Sequence, residues 1–245
     1  DFYFDEVGTG CATAGTLRCG KGHAFDFARQ GYVNLVPGGK LVHTADDAEM
    51  VAARARYHER NHNAGLAERV AELALEPIRA SAAAGDLEGT AYVVDAGAGV
   101  GYYAAAVAES AHQDPALVDR VAVLAMDISK YALRRAAKAH PGITAIGADT
   151  WDTLPMKNRS VDALYCVFAP RNASEFARVI KPNGRLIVVR PTQDHMAEIR
   201  DSAGLIKIGG NKEEDLERKL APYFETVQQE TYGQPLVLSH RDIED

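Results

Sequence analysis

The predicted fold rests on the stretch Ala91-Tyr-Val-Val-Asp-Ala-Gly-Ala-Gly-Val-Gly-Tyr-Tyr103. The apolar run Ala91–Val94 predicts a short buried strand, and the alanine-rich segment from Tyr102 predicts a helix. Between them lie one acid and three glycines at alternate positions: Asp95, Gly97, Gly99 and Gly101. A strand that ends in a glycine turn at a helix N-terminus presents backbone N–H groups at the carboxyl edge of a sheet, where nucleotide-like ligands bind.

The spacing of the acid and the glycines separates two classes of ligand. Dinucleotide folds place G-x-G-x-x-G around a pyrophosphate, whereas this chain has D-x-G-x-G-x-G, with Asp95 two residues before Gly97. That order resembles motif I of the class I S-adenosylmethionine (SAM) methyltransferases, in which the turn wraps the methionine part of the cofactor. SAM carries no phosphate, so its site needs no cationic clamp and tolerates an acid near its ammonium group. The alternative is that the glycines only allow the chain to turn and bind no ligand.

Further acids follow the next two predicted strands. Val121–Met126 ends in Asp127, and Ile143–Gly147 is followed two residues later by Asp149. A carboxylate at the first place suits the two hydroxyls of a ribose, and one at the second can accept from the exocyclic amine of adenine. Asp127 could instead cap the next helix, a role open also to Ser129. Strands that alternate with helices predict a doubly wound, mostly parallel α/β sheet.

The segment after the fourth predicted strand, Val161–Val167, is a second candidate region. In class I methyltransferases this place borders both the sulfonium and the target atom. We therefore assign Phe168 to the cofactor and expect Arg171 and Asn172 to contact substrate, although Asn172 could instead cap the following helix. His195 opens a later helix beside the presumed cleft, where it is either a site residue or a surface residue.

The remaining elements complete the α/β domain. A helix capped by Asp46 or Asp47 and a second helix over about residues 64–75 precede the glycine stretch. Arg185–Arg190 predicts a fifth strand, and residues 224–233 and 235–239 predict a terminal strand pair.

The composition bounds the class of protein. With 245 residues, 47% hydrophobic and 25% charged, the chain can bury one full core and carry a small extra module. No apolar run is long enough to span a bilayer, no signal peptide is visible, and three cysteines favour a reducing cytoplasm. Because residue 1 is Asp, we expect a longer translation product. The oligomeric state is left open between a monomer and a homodimer.

The net charge limits which partners the protein can bind. A net charge of −7 argues against a protein coated in basic surface, but it is compatible with a local basic patch. The most basic run lies between Arg54 and His62. It is either a solvated helix face or the part of the chain that meets phosphates.

Residues 1–45 differ from the rest and predict a small zinc-ribbon-like module in front of a domain that spans residues 46–245. Cys19 and His23 are separated by three residues, which lets a thiolate and an imidazole bind one ion, and Cys11 is the third candidate ligand. A closed structural zinc site has four ligands. A zinc site and a metal-free hairpin packed on the main domain therefore both stay open.

Several segments together resemble the 23S rRNA (guanine-N1)-methyltransferases, especially the branch that confers resistance to tylosin-type macrolides. The most specific are the runs Arg29–Leu35 and Phe168–Asn172. The other matching segments are Leu17–His23, Phe25-Asp26, Met50–Ala55, motif I, Trp151–Pro155 and Gln193–His195. The resemblance implies a zinc module on a class I SAM-binding domain that acts on a guanine in an rRNA hairpin. It also implies cofactor contacts from the glycine turn, including Val100, and from His195.

The expected cofactor-binding residues are thus Asp95, Ala96, Gly97, Gly99, Val100, Gly101, Asp127, Asp149, Phe168 and His195. Three departures from the family accompany them. Only one cysteine of the first zinc pair is present, the sequence stops at Asp245 before the family's last segment, and a family tyrosine corresponds to Asn63. These departures keep a second function open, that of a small-molecule methyltransferase derived from the rRNA enzymes. The sequence names no general base.

Overall fold

A computed structural model describes residues 15–18, 22–36, 45–192 and 212–244 of the chain. The strands are β1 (Thr16–Arg18), β2 (Ala24–Asp26), β3 (Tyr32–Asn34), β4 (Ala91–Ala96), β5 (Val121–Asp127), β6 (Ile143–Gly147), β7 (Val161–Val167) and β8 (Ile180–Val189). The helices are α1 (Ala48–Glu59), α2 (Ala64–Ala84), α3 (Tyr102–Gln113), α4 (Lys130–Ala139), α5 (Ala173–Val179), α6 (Lys212–Leu220) and α7 (His240–Glu244).

The main sheet has six strands in the order β3-β6-β5-β4-β7-β8, and every adjacent pair is parallel. This confirms the predicted doubly wound class. From β4 the chain builds outward first through β5 and β6, then on the other side through β7 and β8. The crevice above β4 and β7 is therefore the topological switch point, where open α/β sheets bind ligands at their carboxyl edge.

The sheet is buried on both faces, which explains why β4 to β7 are near-continuous apolar runs. Helices α2, α3 and α4 cover one face with small residues, among them Ala74, Ala104 and Ala136. The opposite face packs against α5 through Phe176 and Val179, and against the N-terminal hairpin through Leu17 and Phe25. These alanine-lined contacts bring the helices close to the sheet.

The N-terminal segment contributes to a separate hairpin and to the main sheet. Strands β1 and β2 form an antiparallel hairpin, whereas β3 joins the main sheet, with Val33 opposite Ile146 in the parallel ladder with β6. A Cβ on Gly147 would lie 3.1 Å from the Cα of Asn34 and 2.4 Å from its Oδ1, so a larger residue there would displace the Asn34 side chain and press on the neighbouring strand. The outer strand of the main sheet thus comes from the part of the chain before residue 45.

Two local features explain how α2 runs past Pro77 to Ala84, beyond the predicted end near residue 75. Proline has no N–H for the carbonyl of Leu73, and Arg185 Nη1 donates to that carbonyl at 3.2 Å instead. Gly85 then ends the helix in the left-handed conformation, at φ 79°. Arg185 also begins the regular ladder of β8 with β7, after a shift of register.

The predicted terminal strand pair is wrong. Residues 224–239, all of which the structure describes, form no strand. Instead, side chains tie this segment to α2: Arg69 Nε and Nη2 donate to the two carboxylate oxygens of Glu230 at 2.7 and 2.9 Å. A segment forms a strand only where a backbone edge is available for pairing, and here the neighbouring surface is a helix.

Candidate functional site

The glycine turn follows β4 directly, and its three glycines have different roles. Gly97, Gly99 and Gly101 have φ values of 87°, 54° and 82°, all in the left-handed region. A Cβ on Gly97 would lie 2.5 Å from the Cβ of Ala169, and one on Gly101 would lie 2.8 Å from the Cα of Ala136. Beyond its chain neighbours, a Cβ on Gly99 would meet no described atom within 4 Å. Gly97 and Gly101 thus serve packing, while Gly99 leaves its backbone open to a ligand.

Asp127 connects the end of β5 to this turn. Its Oδ2 accepts from the Gly99 N–H and its Oδ1 from the Ser129 N–H, both at 2.8 Å. Burial raises the pKa of Asp127 above its ordinary value, and these backbone donors act in the opposite direction. Each carboxylate oxygen can accept a second hydrogen bond. Ser129, not Asp127, caps α4, through a 3.4 Å bond from the Ala132 N–H to Ser129 Oγ, so Asp127 is available for the predicted ribose contact.

Asp95 lies beneath the turn and is only 1% exposed. Within the described part of the chain, Asp95 Oδ2 and the Tyr165 hydroxyl are buried with no other hydrogen-bond partner, and the Tyr165 hydroxyl acts on Asp95 as a donor that lowers its pKa. Burial first, and then the negative charge of Asp127, raise the pKa of Asp95 to about 8. Buried polar atoms normally have partners. A cationic group that enters from the turn would favour the ionised form of this acid and give it a charged partner.

The end of β6 lies beside that of β5, since the Ala148 N–H donates to the Asp127 carbonyl at 3.0 Å. Asp149 Oδ1 accepts from the Trp151 N–H at 2.9 Å, which forms a local turn. The Trp151 side chain is 64% exposed. The three predicted acids thus follow three adjacent strands, although the adenine contact of Asp149 stays a prediction.

The segment after β7 lines a cavity. Phe168 has φ 53°, a conformation that costs a bulky residue free energy and is often found at functional sites. Its side chain is 47% exposed. The cavity measures about 250 Å³, and its lining combines apolar with cationic residues: Phe168, Ala169, Arg171, Arg190, Pro191 and Leu216. Because Ala169 also meets Gly97, the cavity and the glycine turn share a wall.

The two predicted substrate residues differ in their surroundings. Arg171 lines the cavity. Asn172 caps α5, with its Oδ1 3.5 Å from the Glu175 nitrogen, and its Nδ2 donates to the Trp151 carbonyl at 3.3 Å. The capping alternative for Asn172 therefore holds, and its contact with substrate stays a prediction.

Comparison with known proteins identifies the family. A family model for the N-terminal part of RlmA, a zinc ribbon, matches residues 11–40, and a methyltransferase-domain model matches residues 93–184. The chain is 44% identical to the 23S rRNA (guanine(748)-N(1))-methyltransferase of Streptomyces fradiae, over 92% of this chain and 75% of the relative. It belongs to the 23S rRNA (guanine-N1)-methyltransferase family. A relative in Micromonospora griseorubida, named as a 23S rRNA (guanine-N(1)-)-methyltransferase, is 42% identical over 93% of this chain and 76% of its own length.

As a member of this family the chain is a SAM-dependent methyltransferase, and its described residues fit that cofactor. The open backbone at Gly99 admits a ligand, Asp127 keeps acceptor capacity at the predicted ribose position, and the buried carboxyl of Asp95 can pair with an ammonium group. Ala96 and Val100 complete the turn. Among the described residues, no helix is long and apolar enough to cross a membrane.

The methyltransferase carries an aromatic cluster beside the turn that the sequence did not predict. The His58 ring stacks on Tyr102, with centroids 4.3 Å apart, and Asn63 Nδ2 donates to the Tyr103 hydroxyl at 3.3 Å. Burial first, and then the charge of Arg54, lower the pKa of His58 to about 4. The sequence did contain one sign that His58 is buried: it lies seven residues after buried Val51, on the same face of the helix.

The basic run in the methyltransferase is largely occupied by ion pairs. Arg54 Nε lies 3.0 Å from Asp46 Oδ2. Arg60 and His62 both contact Asp242 Oδ1, which holds the C-terminal segment against the turn between α1 and α2. Hydrogen bonds from Ser239 and His62 hold the pKa of Asp242 well below its usual range. This favours the reading of the run as a structural helix face.

Three predicted site residues of the methyltransferase, Cys11, Cys19 and His195, lie outside the described residues. His23 is described and its side chain is exposed. Over the described ranges, no group of three His, Cys, Asp or Glu side chains could hold a metal ion. The zinc ligands and the histidine contact to the cofactor therefore stay predictions.

Proposed function

We propose that this chain methylates N1 of a guanine in a hairpin of 23S rRNA. Its two relatives above 40% identity carry names that describe this reaction. The observation that carries the proposal is the wall shared by the glycine turn and the cavity after β7, where Ala169 meets Gly97 and also lines the cavity. A base held in the cavity would lie next to the cofactor's position.

On the cofactor side, we assign Asp127 to the ribose hydroxyls, Asp149 to the adenine edge and His195 to a further contact. When bound, SAM supplies an electrophilic methyl group on a sulfonium. The role of the chain is then chiefly positional, because in-line displacement depends on holding the nucleophile against that methyl group.

On the substrate side, the guanine must leave its stack to reach the cavity, at a cost of a few kcal/mol. The half-exposed Phe168 ring offers a surface on which a base can stack. Guanine N1 loses a proton as it is methylated, which moves negative charge toward O6. The guanidinium of Arg171, which lines the cavity, can stabilise that charge. We assign no general base.

We also propose that the N-terminal module binds zinc through Cys11, Cys19 and His23, with a fourth ligand that is not assigned. The match of residues 11–40 to the RlmA zinc ribbon supports this. Elemental analysis of protein purified without chelator tests it. We expect close to one zinc per chain, and a metal content near zero would contradict the proposal.

The methylation itself is tested by transfer of labelled methyl groups from SAM to 23S rRNA transcripts that carry the target hairpin. A small-molecule extract of the host is assayed in parallel. We expect label in the RNA that disappears when the target guanine is replaced. Label confined to the extract would refute the rRNA substrate and favour a small-molecule methyltransferase.

A further inference from the structure

Helix α4 has an unusual distribution of charge. It contains four cationic residues and no acid, and it is the only helix within the described ranges that lacks an acid. The four cations are exposed: Lys130, Arg134, Arg135 and Lys138. Its other side is buried against the sheet through Ala132, Leu133, Ala136 and Ala137. Lys and Arg thus occupy the whole solvent face of α4 apart from Ala139 and the half-buried Tyr131.

These cations are also unpaired. In the part of the chain that the structure describes, none of the four forms a salt bridge, whereas Arg54, Arg60, Arg69, Arg79, Arg178 and Arg185 all do. Lys130, Arg134 and Lys138 follow at four-residue intervals, about 6 Å apart along the helix axis. Like charges at this spacing destabilise an isolated helix. Such a stripe is expected where a polyanion neutralises it.

An aromatic ring lies among the cations. Lys130 Nζ and the Arg134 guanidinium are 5.1 and 5.7 Å from the centre of the Tyr131 ring. These cation–π contacts keep both charges on one side of the helix. Basic residues interleaved with an aromatic ring are typical of surfaces that bind nucleic acid.

Helix α4 runs from the cofactor edge of the sheet to the turn that precedes β3. The helix starts directly after Ser129, whose N–H donates to Asp127, so Lys130 lies near the cofactor edge. Farther along the helix, a Cβ on Gly31 would lie 3.7 Å from the Cβ of Ala137. The turn of residues 28–31 therefore packs on α4, and its Arg29 is exposed.

We propose that the solvent face of α4, together with Arg29, binds the phosphate backbone of the substrate RNA. A protein with a net charge of −7 can attract RNA only through a segregated basic surface. The run between Arg54 and His62 does not offer one, because its Arg54, Arg60 and His62 pair with acids. The α4 surface does, and it extends from the cofactor edge toward the turn of residues 28–31. The inference rests on the proposed rRNA substrate and assigns the surface that holds it.

The test compares two double variants with the same change in net charge. R134Q/K138Q removes two cations of the α4 stripe, and R218Q/K219Q removes two exposed cations of α6 as the control. RNA binding is measured over a range of salt concentrations with a transcript that carries the target hairpin. The logarithm of the binding constant falls linearly with the logarithm of salt concentration, and each phosphate contact adds about 0.7–0.9 to the steepness of that fall. We therefore expect R134Q/K138Q to make the slope shallower by about 1.4–1.8 and the control to leave it nearly unchanged.

SAM affinity and thermal unfolding are measured for both variants, and we expect neither to change, because the substituted side chains are exposed. R134K/K138R should restore the slope, since it keeps both charges. If wild-type protein binds and methylates the RNA but R134Q/K138Q behaves as the control does, the α4 proposal is overturned and the proposed function stands. If wild-type protein binds SAM but not the RNA, both proposals fail.

Discussion

Replacing Asp127 with alanine tests how the chain recognises its cofactor. The carboxylate of Asp127 accepts from the N–H groups of Gly99 and Ser129, at 2.8 Å each, and its remaining acceptor capacity points to a ribose. Losing one charge-assisted hydrogen bond to the cofactor costs about 1.5–3 kcal/mol. We therefore expect SAM affinity in Asp127→Ala to fall by roughly 10- to 150-fold, measured by titration calorimetry.

The substitution also removes an acceptor from two backbone donors, each of which costs about 1–3 kcal/mol if it stays unsatisfied. The titrations therefore belong at a temperature where circular dichroism shows the variant folded. Asp86→Ala is the matched control, because Asp86 is an exposed acid in the loop before β4, away from the carboxyl edge. Unchanged SAM affinity in folded Asp127→Ala would refute the assignment of Asp127 to the cofactor.

Four further substitutions test the turn and the acid beneath it. Gly97→Ala should lower the free energy of unfolding by about 1–3 kcal/mol, because its Cβ would clash with Ala169 at a φ of 87°; urea denaturation checks this, and Gly99→Ala, which meets no clash, should be the milder of the two. Asp95 has a pKa raised to about 8, so the folded state holds a proton that the unfolded state releases first. Stability of the wild type should then fall by up to about 1.4 kcal/mol per pH unit between about pH 4 and 8, and a pH series in which Asp95→Asn falls as steeply would disprove this. Tyr165→Phe removes a buried hydroxyl that lowers the pKa of Asp95, so we expect Asp95 to titrate at a higher pH and the fall in stability to extend above about pH 8, and an unchanged pH profile would count against that reading.

The fold could be predicted because its signals are local. The strands from Ala91 to Val167 are apolar runs, and each was found within two residues of its predicted end. Residues 224–239 were also predicted to form strands, but they form none. Pairing depends on which backbone edge lies nearby, and that information is not contained in the segment itself.

The sequence predicted those parts of the site in which function requires a particular residue type at the end of a strand. The glycine turn and Asp127 lie together because parallel strands end at one edge. Other features arise from distant parts of the chain. The stack of His58 on Tyr102 joins α1 to α3, and the pairing of Arg60 with Asp242 joins residues 182 positions apart. The second contact uses part of a basic run that the sequence alone left as a candidate for RNA, whereas the cations of α4 form no salt bridge with any described residue.

The product of the proposed reaction, a guanine methylated at N1 in 23S rRNA, can be detected directly. Methylation at N1 removes the Watson–Crick hydrogen-bond donor of the base, so it blocks reverse transcription. The most direct measurement is primer extension on the hairpin transcript after reaction with wild-type protein and SAM, alongside nucleoside analysis of the same RNA. We predict a single SAM-dependent arrest next to one guanine and one N1-methylguanosine per transcript. Full-length extension, or a methyl group found on another atom of the base, would contradict the account.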